Sequence, residues 1–95
     1  MKVLPIGTVV AMKQPEQAQW MIIGYYPTKD GCLYDYLTVI FPIGLTLEAQ
    51  ALGIREEDID HVVQIGYESD LFARMQKNME RLEPQIRNSF EAAKR

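Results

Sequence analysis

The chain has 95 residues, a formal net charge of −3 and a hydrophobic share of 47%. This length suits one domain, and this apolar fraction is ordinary for a soluble globular protein. An acidic balance disfavours nucleic acid as a partner, because the phosphates require a basic protein face. The apolar runs are too short to cross a bilayer, so no membrane partner is expected.

Cysteine usage and the first residues bear on the cellular compartment. Cys32 is the only cysteine, so it can form neither an internal disulfide nor a multi-cysteine metal site. The N-terminal residues have no extended apolar segment and no small-residue cleavage site, unlike a secretory signal peptide. A reduced thiol and the lack of a signal predict a cytoplasmic protein.

The first half of the chain predicts three consecutive antiparallel strands. Residues 8–13 and 19–26 are rich in β-branched and aromatic residues, and the polar, proline-containing stretch 14–17 between them suits a hairpin loop. Apolar residues on both faces of 19–26 indicate a central strand covered on both sides. The turn at 27–31 contains an Asp-Gly pair that tolerates positive φ, and residues 33–41 are expected to form the third strand.

The chain after the third strand predicts a fourth strand and then a helical region. Residues 45–58 are compatible with a short helix or with a loop packed on the sheet edge, whereas 59–67 alternates as a strand does. We therefore expect an α+β fold in one domain, 1–95. A small twisted antiparallel sheet would occupy 1–67, as a meander of about four strands that is either open or a partial barrel. An amphipathic helix would occupy 69–95.

The helical region carries one apolar stripe. Ser69 or Asp70 can cap the start of a helix. Five apolar residues follow at steps of three or four, and we call them the helix stripe: Met75, Met79, Leu82, Ile86 and Phe90. Pro84 interrupts the stripe, so the helix is expected to be kinked or broken there. The stripe keeps its phase across Pro84, which favours the kink.

The length of this helix predicts that the stripe binds a partner. A helix of some 25 residues is about 37 Å long, whereas strands in small sheets run about 17–20 Å. The distal stripe residues, Ile86 and Phe90, should therefore extend beyond the shelter of the sheet and form a partner surface. Packing of the whole stripe on the chain's own sheet, and self-association into a homodimer, are the competing interpretations.

No residue pattern predicts a catalytic, cofactor or metal site. His61 is the only histidine and has no ligand at metal spacing on a shared helix. Ser69, Ser89 and Cys32 have no basic partner apart from that histidine. The acidic run 56–58 does not follow the calcium-loop pattern. We expect a non-enzymatic protein; a small hydrolase would require His61 beside Cys32, or a buried carboxylate in a cleft.

Short phrases spaced along the chain are similar to those of one family. They are Leu4-Pro5-Ile6-Gly7-Thr8-Val9-Val10, Met21-Ile22-Ile23-Gly24, Tyr34-Asp35-Tyr36-Leu37, Pro42-Ile43-Gly44 and Val62-Val63-Gln64-Ile65-Gly66-Tyr67. Over roughly 4–80 the chain resembles the domain of unknown function 4176 family of Gram-positive bacteria. The resemblance implies a place in type VII secretion loci, beside toxins with an N-terminal LXG domain and small helical companion proteins. It implies no catalytic residues.

The stripe and the resemblance together predict the function. The resemblance implies that the partner is a long helical hairpin, and an apolar helix stripe pairs with helices by knobs-into-holes contact. We therefore expect a targeting adaptor or chaperone that binds the LXG domain of a secreted toxin, with or without the companion protein, and aids its export. The alternatives are an immunity protein for the toxin and a self-associating interaction module.

Overall fold

A computed structural model of the protein describes residues 1–14 and 18–93. The chain forms two compact units. The sheet unit is Leu4–Tyr67, and the helix unit combines Met1–Val3 with the chain from Glu68 onward. The predicted loop at 14–17 lies mostly outside the described residues.

The sheet unit is built from short antiparallel strands. Its strands, among the described residues, are β1 Val9–Met12, β2 Gln19–Tyr25, β3 Thr28–Lys29, β4 Cys32–Leu33, β5 Tyr36–Ile40, β6 Leu52–Ile54 and β7 Ile59–Gln64. Five of them form one sheet in the order β6-β5-β2-β1-β7. The meander β1-β2-β5 and the pairing partner β7 confirm the four strands expected from the sequence. Together with the C-terminal helix, they confirm the α+β class.

The turn after β2 forms a small hairpin of its own. Asp30 and Gly31 have φ angles of 51° and 77°, as the Asp-Gly pair predicted. Their flanking residues, β3 and β4, pair in a separate two-stranded sheet. The third strand of the large sheet therefore begins at Tyr36, three residues later than expected.

β6 is a fifth strand in the stretch that the sequence left unassigned. It lies at the sheet edge beside β5, and Asp35 connects the two. The Asp35 N–H donates to the Ile54 carbonyl at 2.9 Å, while its carboxylate Oδ2 accepts from the Glu56 N–H at 2.8 Å. Gly53 lies under Tyr34, where an added Cβ would be 2.8 Å from the ring. These contacts hold β6 beside β5. With only three residues, β6 is too short for the alternation of apolar and polar residues to predict it.

The sheet is strongly curved but is not a closed barrel. β6 and β7 occupy opposite edges, yet only residues 55–58, which include a 3₁₀ turn at Glu56–Asp58, separate them in the chain. The 3₁₀ turn shortens this segment to about 15 Å, which is less than the roughly 19 Å across a flat sheet of five strands. The two edges must therefore approach each other, although they are not paired in the described part of the chain.

The completely buried strand residues of the sheet unit share one face of the sheet, although the opposite face of β1 and β5 is also buried at Val9, Ala11 and Val39. Val10, Ile22 and Tyr36 are completely buried on the shared face, and Ile54 is nearly so.

β2 is the central strand, as predicted, but Ile23 on its other face is 38% exposed. Ile23 is the bulged residue between Ile22 and Gly24. Val9 and Val39, which flank β2 on that second face, are buried, so the expected cover of β2 on both faces fails at the bulge rather than along the whole strand.

The helix unit contains one long helix, α1 Asp70–Ala93, of 24 residues and about 36 Å. Ser69 caps it: the Ser69 hydroxyl accepts from the Phe72 N–H at 3.0 Å. Pro84 lies inside α1 and the helix continues through it, so the alternative of a break into two helices, which the sequence disfavoured, does not occur.

Candidate partner-binding site

The helix stripe lies on one face of α1, as its spacing predicted. All five stripe residues are half-buried, and no residue of α1 is fully buried. Phe72, three residues before Met75, has the same spacing and is half-buried too. Phe72 was not among the predicted stripe residues, although its three-residue step to Met75 is visible in the sequence.

One side of the stripe is occupied by the chain's own N-terminal segment. Gln76 Nε2 donates to the Val3 carbonyl at 2.8 Å, and the N-terminal ammonium of Met1 pairs with Glu83 Oε2 at 2.7 Å. Arg87 Nη2 also donates to Glu83, at 2.7 Å. The segment Met1–Val3 therefore runs antiparallel to α1. Burial alone would raise the pKa of the Glu83 carboxyl, but these two hydrogen-bonded cations outweigh it and lower the pKa.

The other side of the stripe is uncharged and exposed. We call this side the neutral flank, and it consists of Leu71, Asn78, Gln85 and Ser89. The steps of seven, seven and four residues place these side chains on one line along a helix. Leu71 is 74% exposed. The stripe and the neutral flank together form a continuous face without charge.

Three exposed basic residues of α1, Arg74, Lys77 and Arg81, lie away from the stripe, and Arg74 among them borders the neutral flank. Charged residues are depleted at the centre of protein interfaces, because their desolvation is costly. The distribution of side chains around α1 therefore leaves one face suited to another protein and one face suited to water.

A second apolar surface lies on the sheet unit, in the loop that follows β5. We call it the apolar loop, and its side chains are Phe41, Ile43, Leu45 and Leu47, which are 40%, 62%, 67% and 102% exposed. Of the two alternatives for residues 45–58, a short helix does not form at Leu45 and Leu47, and neither side chain packs on the sheet, because the loop projects both into solvent.

The apolar loop is held by its own backbone. The Gly44 N–H donates to the Ile40 carbonyl at 2.7 Å, and the Thr46 N–H donates to the Ala49 carbonyl at 2.9 Å. The Thr46 hydroxyl accepts from the Ala49 N–H at 2.8 Å. No charged residue occurs between Tyr36 and Leu47. The hydrogen bonds hold the backbone of the loop, and its exposed side chains are apolar.

The groups considered for catalysis lie on different elements of the sheet unit. His61 on β7 contacts Asp60, with Nδ1 2.7 Å from Oδ2, and both side chains are exposed. Cys32 lies on β4 in the small hairpin and is half-buried. The buried carboxylate of Asp35 binds the turn after β6, as described above. Within the described ranges, no three potential metal ligands lie together.

A cleft of about 400 Å³ lies on the sheet unit, where Met12 and Lys13 approach Leu52, Ile54 and Asp58. Its charged groups are one ammonium and one carboxylate. Neither His61, Cys32 nor Asp35 lines it. No helix in the described part of the chain has the length and apolar content needed to cross a membrane.

Comparison with known families decides the affiliation. The sequence model of the family described as Domain of unknown function (DUF4176) matches residues 3–75, which is most of the chain. The chain belongs to this family. No curated protein and no solved structure matches it. The match covers the sheet unit and the first turns of α1, so four of the five stripe residues lie beyond it.

Proposed function

We propose that this member of the family is a non-enzymatic cytoplasmic adaptor that binds the helical LXG domain of a type VII secreted toxin and aids its export. The observation that carries the proposal is the uncharged face of α1, which combines the helix stripe with the neutral flank. The type VII context comes from the family resemblance of the sequence.

The shape of this face supports a helical partner. α1 is continuous over about 36 Å. The stripe residues recur at steps of three and four, which is the pattern that two helices need to interlock their side chains. A long helical hairpin can follow such a face over several turns, with a small helical companion protein beside it or without one.

The free side of the face determines where the partner would approach. Gln76 and Glu83 already bind Met1 and Val3 on one side of the stripe. The neutral flank on the other side offers amide and hydroxyl groups that can hydrogen-bond to a partner without desolvating a charge. A partner helix would therefore lie over the stripe and the neutral flank.

Co-purification with the LXG domain tests the proposal. The double variant Ile86→Asp/Phe90→Asp places two carboxylates in the distal part of the uncharged face. We expect it to weaken binding at least roughly a hundredfold, because an unpaired buried charge costs several kcal/mol. Asn88→Asp, which adds a carboxylate on the opposite, exposed side of the same turn, should bind as the wild type does.

Two results would contradict the proposal. Unchanged binding of the Ile86→Asp/Phe90→Asp variant would show that α1 is not the binding element. Binding to the toxin's C-terminal domain without its LXG domain would instead indicate an immunity protein. Circular dichroism at 222 nm should confirm that each variant keeps its helix before binding is compared.

A further inference from the structure

The apolar loop is exposed surface that the proposed function does not use. Its four large apolar side chains lie within seven residues, and Leu47 is fully exposed. Single exposed apolar residues are common, but a contiguous group of this kind marks an interaction site.

The free edges of the sheet are less suited to an additional strand. β6 has only three residues. The pairing of β1 with β7 shifts register between Val9 and Val10 and again between Ala11 and Met12. Such bulges, and the charge of Asp60 on β7, are devices that keep sheet edges from pairing with other chains. The apolar loop is therefore the better candidate.

Charge restricts what can bind the loop. The sheet unit has three basic and eight acidic residues, a net charge of −5. An acidic body is repelled by anionic lipid, so insertion of the loop into a membrane surface is disfavoured. The partner that best suits the apolar loop is a protein with a net positive charge and an uncharged contact surface.

The helix unit of this same chain has that chemistry. It contains seven basic and five acidic residues, a net charge of +2, and its uncharged face is apolar along one line. Two neutral apolar surfaces thus lie on units of opposite charge. Opposite net charges draw such units together, and neutral surfaces meet without burying an ion.

We propose that the apolar loop of one copy covers the uncharged face of α1 in a second copy. In a two-fold dimer this contact forms twice, loop on helix and helix on loop, and closes the assembly. The inference does not depend on the LXG domain being the partner.

Light scattering after size-exclusion chromatography, from low to high micromolar concentration, tests the dimer. We expect the wild type to approach twice its monomer mass of 10.9 kDa. Ile43→Asp/Leu45→Asp should raise the dissociation constant roughly tenfold or more. Thr28→Asp, an exposed position in the small hairpin, should leave it unchanged. A monomer at all concentrations, or a dimer indifferent to the loop substitutions, would overturn the proposal.

Mixing two defective variants separates this contact from a helix–helix dimer. The Ile43→Asp/Leu45→Asp variant keeps an intact α1, and the Ile86→Asp/Phe90→Asp variant keeps an intact loop. Their mixture can form one of the two loop–helix contacts, so we expect heterodimers where each variant alone is monomeric. A dimer made by two α1 helices would show no such rescue, and that result would refute the loop–helix arrangement.

Discussion

Two tyrosines hold the entry of the chain into the sheet. The Tyr25 hydroxyl donates to the Leu4 carbonyl, and the Leu4 N–H donates to the Tyr36 hydroxyl oxygen at 3.1 Å. Burial raises the pKa of Tyr36 to about 12; the Leu4 hydrogen bond opposes this, and the nearby Glu56, Tyr25 and Asp35 reinforce it. Burial also raises the pKa of Tyr25.

The raised pKa of Tyr36 predicts a loss of stability in alkali. Between pH 10 and 12 the unfolded chain releases the tyrosine proton while the folded chain retains it, so the free energy of unfolding falls as pH rises. Tyr36→Phe removes the contribution of Tyr36 to this dependence and leaves that of Tyr25, whose pKa is also raised. It also leaves the Leu4 N–H unpaired, which should cost about 1–3 kcal/mol at neutral pH.

Urea unfolding followed by circular dichroism from pH 7 to 11 measures both effects. Tyr67→Phe is the control, because Tyr67 is 83% exposed. If the alkaline slope of the Tyr36→Phe variant equals that of the wild type, the titration of Tyr36 is not its cause.

Gly66 illustrates a glycine that is required by close approach of the backbone. A Cβ at this position would lie 2.3 Å from the Ile6 carbonyl oxygen and 2.8 Å from the Thr8 nitrogen. The Gly66 N–H donates to the Thr8 hydroxyl at 3.0 Å. Backbone atoms cannot move aside as a flexible side chain can.

Gly66→Ala should therefore destabilise the sheet unit by about 1–3 kcal/mol, as overpacking does. Gly24→Ala is the matched control, because its Cβ would meet the Leu37 side chain at an ordinary 3.5 Å. Equal urea midpoints for the two variants would argue against the close approach at Gly66.

At the scale of elements, length and period separate what the sequence predicts from what it does not. β1, β2 and β7 have four residues or more, and α1 has 24, so their patterns are visible. β6 has three residues and depends on contacts with Asp35 and Tyr34, which are distant in sequence. No local pattern predicts it.

The candidate site shows the same division. The stripe follows from helical spacing alone, and the neutral flank could have been found in the same way. The exposure of the apolar loop could not have been predicted from the sequence. An apolar run predicts burial, and only the fold shows that nothing covers this one. Both alternatives for residues 45–58, a short helix and a loop packed on the sheet edge, missed this exposure.

Pro84 carries a prediction that belongs to α1 as an element. A proline inside a helix cannot donate to the carbonyl four residues earlier, here that of Glu80, and its ring crowds that carbonyl. Pro84→Ala should stabilise the helix by up to about 3 kcal/mol. Thermal unfolding at 222 nm should therefore show a higher midpoint than for Gln85→Ala, the neighbouring control. A lower midpoint for Pro84→Ala would contradict this.

For the whole molecule, the family match and the charges divide the chain in nearly the same place. The match ends at Met75, shortly after the sheet unit gives way to the helix unit. Most of the stripe therefore lies in the part that the family model does not cover. If the stripe binds the partner, the choice of partner depends largely on residues outside the family match.

The two proposals together predict competition, since the LXG domain and a second copy would use the same face of α1. Each dimer conceals that face, so the apparent affinity for the LXG domain should weaken as the concentration of the protein rises. Ile43→Asp/Leu45→Asp releases the face without altering α1 and should bind the LXG domain at least as tightly as the wild type does. Calorimetric titrations at two protein concentrations measure this. Weaker LXG binding by the loop variant would show instead that the apolar loop itself contacts the toxin.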